Sequence, residues 1–487
     1  MSRRQDQTEP AAADSLLLRN AAGVLTGLEG AAARATGPDI RIRAGRIEAM
    51  GRLTPVHGEE QLDATDCVVY PAWVNTHHHL FQSLLKGDPA GINLTLSPWL
   101  AATPLRHRPG FDADLLRLAA RIGLVELALS GCATVADHNY VYFPKMPFDA
   151  SAILFEEAET LGMRMVLCRG GGTRARQQEE DLPAAMQPET LDGYLLDIER
   201  LAHRYHDPAP DAMRRIVVAP TSPPWSTTPQ ELRECARFAR AKGLRLHSHL
   251  SETVAYHDAV HEAHGLKPVH FCEAHEWLGP DVWFAHLVRL DEDEIARLGA
   301  TGTGIAHCPQ SNARLGSGIA PVRALEDAGV PISIGVDGAA SNEAADMVSE
   351  THAAWLLQRA RAGEASRAFC HGGHGEHGAQ AATVEDVVRW GTSGGARVLG
   401  LPGIGTIAPG QAADLAIYAL DRDPRYFGLH DLATGPVACG GSAHLRALLI
   451  GGRTVVRDGS LPGVDLGELA HAGRAAVRTL LARAQAK

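Results

Sequence analysis

His77 and His79 are separated by one residue in the run CVVYPAWVNTHHH, and that spacing can hold a metal ion. Residues Cys67 to Val74 are apolar and β-prone, which predicts a buried strand with the histidines at its carboxyl end. A strand alternates its side chains, so residues two apart face the same way. Both imidazoles therefore face one point, while His78 faces away and is the poorer ligand. Further along, HSHLSE supplies His247, His249 and Glu252, VWFAH ends at His286, and PISIGVD ends at Asp337. Imidazoles and a carboxylate around one position suit zinc or iron(II), with room left for water.

Side chains so far apart in the chain need a scaffold that gathers strand ends. Eight short β-prone segments run from Cys67 to Asp337: CVVYPAWVN, ATVADH, RMVLCRG, RIVVAP, LRLHSHL, VWFAH, GTGIAHCP and PISIGVD. Helical patterns such as DADLLRLAARIGLVELALSG and PQELRECARFARAKG lie between them. Alternating apolar strands and helices predict a parallel sheet, and eight such units predict a closed (β/α)8 TIM-like barrel. Active sites of this architecture lie at the carboxyl ends of the strands, where the candidate residues fall.

The flanks differ in style. Residues 15–66 and 403–487 carry short alternating strands with glycine turns, as in DIRIRAGRIEAMG and LRALLIGGRTVVRDG. Neither flank alone has enough strands to bury a sheet face. The expectation is an α/β protein in which a barrel over 67–402 is inserted into a small β-sandwich domain built from both chain ends, with a C-terminal helix. Residues 1–14 read as a disordered tail, and HGGHGEHG from His371 as a solvated loop.

Composition narrows the class. A net charge of -11 argues against nucleic acid or an anionic membrane as partner, and a hydrophobic content of 45% over 487 residues supports a large core. No apolar stretch is long enough to span a bilayer, and the first residues lack the apolar run of a signal peptide. Eight cysteines are scattered with no CxxC pair, which suits reduced thiols in a cytoplasmic enzyme.

VNTHHH, HSHLSE, the His286 strand, HCPQSNARLGSGIAPV, VDGAASN and GQAADLAIY together resemble the amidohydrolase superfamily over nearly the whole chain. HCPQSNARLGSGIAP resembles in particular the branch that deaminates guanine, cytosine, adenosine derivatives and related heterocycles. The resemblance implies that His77, His79, His249 and Asp337 bind one divalent metal ion, zinc foremost with iron possible. It implies that Glu252 shuttles protons, that His286 orients the hydroxide or substrate, and that Asp337 also accepts the hydroxide's proton. A bound divalent ion lowers the pKa of its water to about 7, and the resulting hydroxide attacks an amidine-like ring carbon. Binuclear members of the superfamily bridge two metals with a carboxylated lysine, usually from the fourth strand. RRIVVAPTSPPWS has no lysine, so a single ion is expected. His247 is expected to pack on the strand face of His249.

The substrate is expected to be a small heterocycle. Gln82 in HHHLFQSLLKG matches an HxHxxQ pattern whose glutamine contacts substrate in similar aminopurine deaminases. Arg169 and Arg174 in CRGGGTRARQ are candidates for a carbonyl or enolate-like oxygen, and Trp225 in PTSPPWSTT for stacking on a flat ring. The runs YPAWVNTHHHLFQSLLKG, SGCATVADHNY, SAILFEEAE, AHCPQSN and SIGVDGAASNEAADM resemble the branch members that deaminate isoxanthopterin, an oxidised pterin. The 8-oxoguanine deaminases are the alternative, followed by triazine chlorohydrolases. A metal-free scaffold protein of the same fold is the reading from another class, and it should have lost ligands that this chain keeps. Superfamily members are commonly oligomeric, which implies a homo-oligomer.

Overall fold

The computed structural model describes residues 15–175, 187–365 and 381–485. The expectations for residues 1–14 and for HGGHGEHG lie outside the described residues. Six strands precede the barrel: β1 (Ser15–Arg19), β2 (Gly23–Val24), β3 (Asp39–Arg43), β4 (Arg46–Gly51), β5 (Glu60–Asp63) and β6 (Cys67–Pro71). The barrel strands are β7 (Trp73–His78), β8 (Cys132–Asn139), β9 (Arg164–Arg169), β10 (Arg214–Val218), β11 (Arg245–Leu250), β12 (Val282–His286), β13 (Gly304–His307) and β14 (Ile332–Ile334). After them come β15 (Leu415–Ala419), β16 (Leu445–Ile450) and β17 (Arg453–Arg457), and the helix Leu466–Gln485.

The eight strands β7 to β14 pair in sequence order, each parallel to the next. The two ends of this sheet meet where His78 bridges Asp337 and the Asp337 amide donates to the His77 carbonyl at 2.9 Å. Gly335 permits the closure. A Cβ there would stand 2.7 Å from His77 Cβ and 2.9 Å from its amide nitrogen, so any larger residue would push β14 away from β7.

The flanks form two further sheets, of order β4-β3-β1-β5 and β17-β16-β15-β6-β2. The second joins strands from both ends of the chain, because β6 pairs antiparallel with β15 and parallel with β2. The segment read as one strand over Cys67 to Asn75 is therefore two. Its first half lies in the small sheet and its second half opens the barrel. Pro71 has no amide hydrogen to donate, and the Ala72 and Trp73 amides turn to different carbonyls, those of Asp414 and Gly131. Both halves are fully buried, so an unbroken apolar run carries no mark of which sheet receives it. No described helix is long and apolar enough to cross a membrane.

Beneath the strand ends the interior is filled by side chains. Trp73 and Trp283 are completely buried, and the Trp283 indole donates to the Thr76 carbonyl at 3.1 Å. Seven cysteines are described as free thiols, six of them buried.

Candidate metal and proton-transfer site

Three barrel strands or their carboxyl ends bring four donor groups together. His77 lies at the end of β7 with His79 just beyond, His249 lies in β11, and Asp337 follows β14. One ligand atom from each lies within 4.8 Å of the others. Asp337 Oδ1 stands 3.3 Å from His77 Nε2 and 3.2 Å from His79 Nε2, and the Nε2 atoms of His79 and His249 are 3.2 Å apart.

Each imidazole is oriented through its other nitrogen. His79 Nδ1–H donates to the His138 carbonyl at 2.7 Å, and His249 Nδ1–H donates to the Thr221 carbonyl at 2.6 Å. His77 Nδ1–H donates to His247 Nε2 at 2.8 Å, and His247 Nδ1–H donates to the Trp283 carbonyl at 3.0 Å. A carbonyl can only accept, so the network assigns the tautomers and leaves three Nε2 lone pairs converging on one point. His247 also stacks on the Trp283 ring, with centroids 4.5 Å apart. It thus packs on the strand and hydrogen-bonds His77 as well. His78 turns away and donates from Nδ1 to the Asp337 carbonyl at 2.6 Å.

Burial pushes the His77 imidazole down to about 4 and the His249 imidazole well below its usual range. Both are therefore neutral at pH 7, the form that ligates metals. Asp337 Oδ1, which faces the Nε2 atoms of His77 and His79, adds the one carboxylate of the group. His77 Nε2 is buried and makes no hydrogen bond. Three inward lone pairs beside one carboxylate form a donor set that fits a divalent cation. The loop after β10 holds no lysine and gives only carbonyls here: Ala219 accepts from His138 Nε2 at 2.9 Å, and Thr221 accepts from His249.

A second pair of groups flanks this cluster. Glu252 Oε2 lies 3.6 Å from His286 Nε2, and the His286 and His249 rings stack with centroids 5.5 Å apart. Burial raises the Glu252 carboxyl above the usual range, with Asp337 adding to the rise, against the opposing pull of His286. A carboxyl that holds its proton more readily is suited to acid–base exchange near neutrality. Backbone strain marks the same places: Ser251, His286 and Asp337 have φ of 52°, 78° and 61°, a region costly for residues other than glycine.

The other expected residues separate. Gln82 is buried in the short helix Leu80–Leu84, where Nε2 donates to the Tyr140 hydroxyl at 3.0 Å and Oε1 has no hydrogen-bond partner. It packs on Gly338, where a Cβ would lie 2.0 Å from Oε1. Tyr140 meets the His79 ring edge-on, with centroids 5.0 Å apart, and lines a narrow cleft of about 40 Å³ with Tyr142, Gly172 and Arg174. Arg174 is exposed at that cleft.

Arg169 is expected at a substrate oxygen, and it lies in the wall of the cleft. Its guanidinium, 2% exposed, is committed to Glu189 at 2.6 Å and Asp197 at 3.0 Å and lies 3.7 Å over the Tyr142 ring. It fastens the wall of the cleft, leaving no free fork for a substrate oxygen. Arg169→Met is therefore expected to leave half-buried Glu189 and Asp197 without their cation and to destabilise the fold, read as a lower melting midpoint. A normal midpoint with a raised KM would return Arg169 to the substrate. Trp225 is half-buried and packs against His264 and Tyr256 at 5.9 and 6.4 Å, toward the helices Val254–His264 and Pro268–Ala274.

Several groups around the site have no signal in spacing. His138 is fully buried at the end of β8, and its ring stacks on His249 at 4.8 Å. With His77 and His247 it forms a second group of three imidazoles close enough to surround one ion. The 2.8 Å hydrogen bond between His77 and His247 already employs two of those nitrogens. Ser311, Asn312 and Ser317 also reach the site, from the HCPQSNARLGSG run.

Comparison with known proteins decides the family. The amidohydrolase family model matches residues 68–455. The chain belongs to the amidohydrolase family. An isoxanthopterin deaminase from an unknown prokaryotic organism is 63% identical over 470 residues, covering 96% of this chain and 97% of that protein. An 8-oxoguanine deaminase of Pseudomonas aeruginosa is 40% identical, covering 87% and 89%. Among solved structures, an amidohydrolase from an environmental sample of the Sargasso Sea is 56% identical, with a TM-score of 0.83 over 96% of this chain and 99% of that one. A zinc complex of atrazine chlorohydrolase from Arthrobacter aurescens is 26% identical, with a TM-score of 0.85 over 95% and 100%. This amidohydrolase is thus a metal-binding hydrolase of C–N bonds, and its relatives support a hydrolytic deaminase.

Proposed function

We propose that the protein hydrolytically deaminates isoxanthopterin, replacing the 2-amino group of the pterin ring by oxygen and releasing ammonia. The observation that carries the reading is the Glu252–His286 pair beside the His77, His79, His249 and Asp337 cluster, in a chain 63% identical to an isoxanthopterin deaminase. Those four residues would hold one divalent ion, zinc or iron(II), which when bound supplies water acidified to a pKa of about 7.

The chain's own groups do the rest. Asp337, between His77 and His79, is placed to take a proton from the water that adds to the ring carbon. Glu252 gives a proton to the ring nitrogen beside that carbon, then carries the next one to the departing amine. His286, 3.6 Å from Glu252, keeps that exchange beside the attacked carbon. Gln82 Oε1 is buried without a donor, and leaving an acceptor so costs about 1–3 kcal/mol. A ring N–H of the 2-amino-4-oxo edge would satisfy it, which supports Gln82 as a substrate-binding residue. The cleft by Tyr140 and Arg174 would then receive the distal ring and its carbonyl.

The 40% identity to an 8-oxoguanine deaminase favours a second reading, because that purine presents a similar edge. The two separate in kcat/KM for isoxanthopterin, pterin and 8-oxoguanine under one metal condition. Isoxanthopterin should lead pterin, since a site that hydrogen-bonds a distal carbonyl leaves polar groups unpaired with an analogue lacking it. A clear preference for 8-oxoguanine would move the assignment to the purine, and equal rates on all three would refute selection at the distal ring.

A further inference from the structure

One turn of chain reaches three of the groups assigned above. It begins in the helix Pro309–Arg314 and ends at Ser317. Ser311 Oγ–H donates to Asp337 Oδ2 at 2.6 Å, Asn312 Oδ1 accepts from His286 Nδ1–H at 2.9 Å, and Ser317 Oγ–H donates to Glu252 Oε1 at 3.2 Å. All three residues are buried, at 0%, 0% and 1% exposure. The turn is closed on itself by the Ser317 amide, which donates to the Asn312 carbonyl at 2.8 Å. Its start is anchored by buried Glu350, which accepts from the Gln310 amide at 3.0 Å and from Gln310 Nε2 at 2.7 Å.

We propose that Asn312 and Ser317 are positioning residues for proton transfer, which fix the tautomer of His286 and select the oxygen of Glu252 that exchanges protons. The inference rests on the deaminase reading of this site. With Nδ1–H bound by Asn312, Nε2 is the ring nitrogen of His286 left to face the site, and it lies 3.6 Å from Glu252 Oε2. With Oε1 occupied by Ser317, Oε2 is the oxygen left to move. It takes a proton ultimately supplied by the attacking water and delivers it to the ring nitrogen, then carries the second to the amine as the C–N bond breaks. Ring–NH2 and H2O thus become ring carbonyl and NH3, and Glu252 and His286 end as they began. The short turn matters because both prongs move together, so the Glu252 to His286 distance is set by one rigid piece of chain.

The test compares Ser317→Ala, Ser317→Thr, Asn312→Leu and Asn312→Asp with the zinc-loaded wild type on isoxanthopterin. Metal content, melting midpoint, kcat, KM and the solvent deuterium isotope effect on kcat are read in each. Removing an outer hydrogen-bond partner of a metal site typically costs about 10–100-fold. Ser317→Ala and Asn312→Leu should lose kcat in that range with KM within about twofold, zinc and midpoint unchanged, and a larger isotope effect. Ser317→Thr and Asn312→Asp keep a donor and an acceptor at the two positions and should recover most of kcat. Unchanged kcat in Ser317→Ala and Asn312→Leu would overturn the proposal. So would losses that track zinc or melting midpoint, or losses that the conservative variants fail to restore. A wild type that releases no ammonia from pterins or oxopurines would instead defeat the deaminase reading.

Discussion

Glu252→Gln is expected to lose roughly 10²–10⁴-fold in kcat while retaining its metal and binding substrate with little change in KM. The amide has the carboxylate's shape, and Ser317 can still donate to its oxygen as it does to Oε1 at 3.2 Å. What is lost is the group that carries a proton. Oε2 becomes an NH2 3.6 Å from His286 Nε2, so the contact survives with no carboxyl proton to pass. Glu252 is 7% exposed, which leaves little room for a water to replace it as a relay. Rapid-quench turnover beside metal analysis measures the effect. A loss under about tenfold would mean that another group moves the proton.

Asp337→Ala is expected to abolish turnover and to empty the metal cluster. It removes the single carboxylate between His77 and His79, leaving only imidazoles to hold a dication. Loss of an outer partner alone typically costs about 10–100-fold in metal affinity, and a direct ligand should cost more. The damage also spreads, because Asp337 Oδ2 accepts from Ser311 at 2.6 Å and from Ser341 at 3.2 Å. Ser311 would lose its shortest acceptor, while Ser341 keeps the Gly338 carbonyl at 2.8 Å. His77→Ala should give the same loss of metal while leaving these two hydroxyls satisfied, so comparing the variants separates ligation from support of the turn. Full activity with normal zinc in either one would remove that residue from the ligand set.

The alternation of a strand was enough to place His77 and His79 on one side and His78 on the other, because a period of two is local. Which sheet a strand joins is not local. Cys67–Pro71 and Trp73–His78 read as one apolar run, and only their partners, β15 and β8, divide them. The partners of Arg169 are hidden in the sequence for a related reason. Its acidic partners lie 20 and 28 residues further on, and nothing in CRGGGTRARQ announces them. His138 stands alone at its strand end with no spaced companion, so its role as a neighbour of His79 and His249 appears only when strands β7, β8 and β11 are side by side. The spacing of Gln82 from His79 is visible in the sequence, and its unsatisfied Oε1 only in the fold.

The measurement that tests the central claim most directly is a zinc titration of chelator-stripped protein, followed by ammonia release from isoxanthopterin. One cluster of four donors and a fourth strand without lysine predict activity rising linearly and breaking at one ion per chain, with Asp337→Ala flat throughout. Activity in the stripped protein, a break at two ions per chain, or full zinc uptake with no ammonia would contradict a single-metal deaminase.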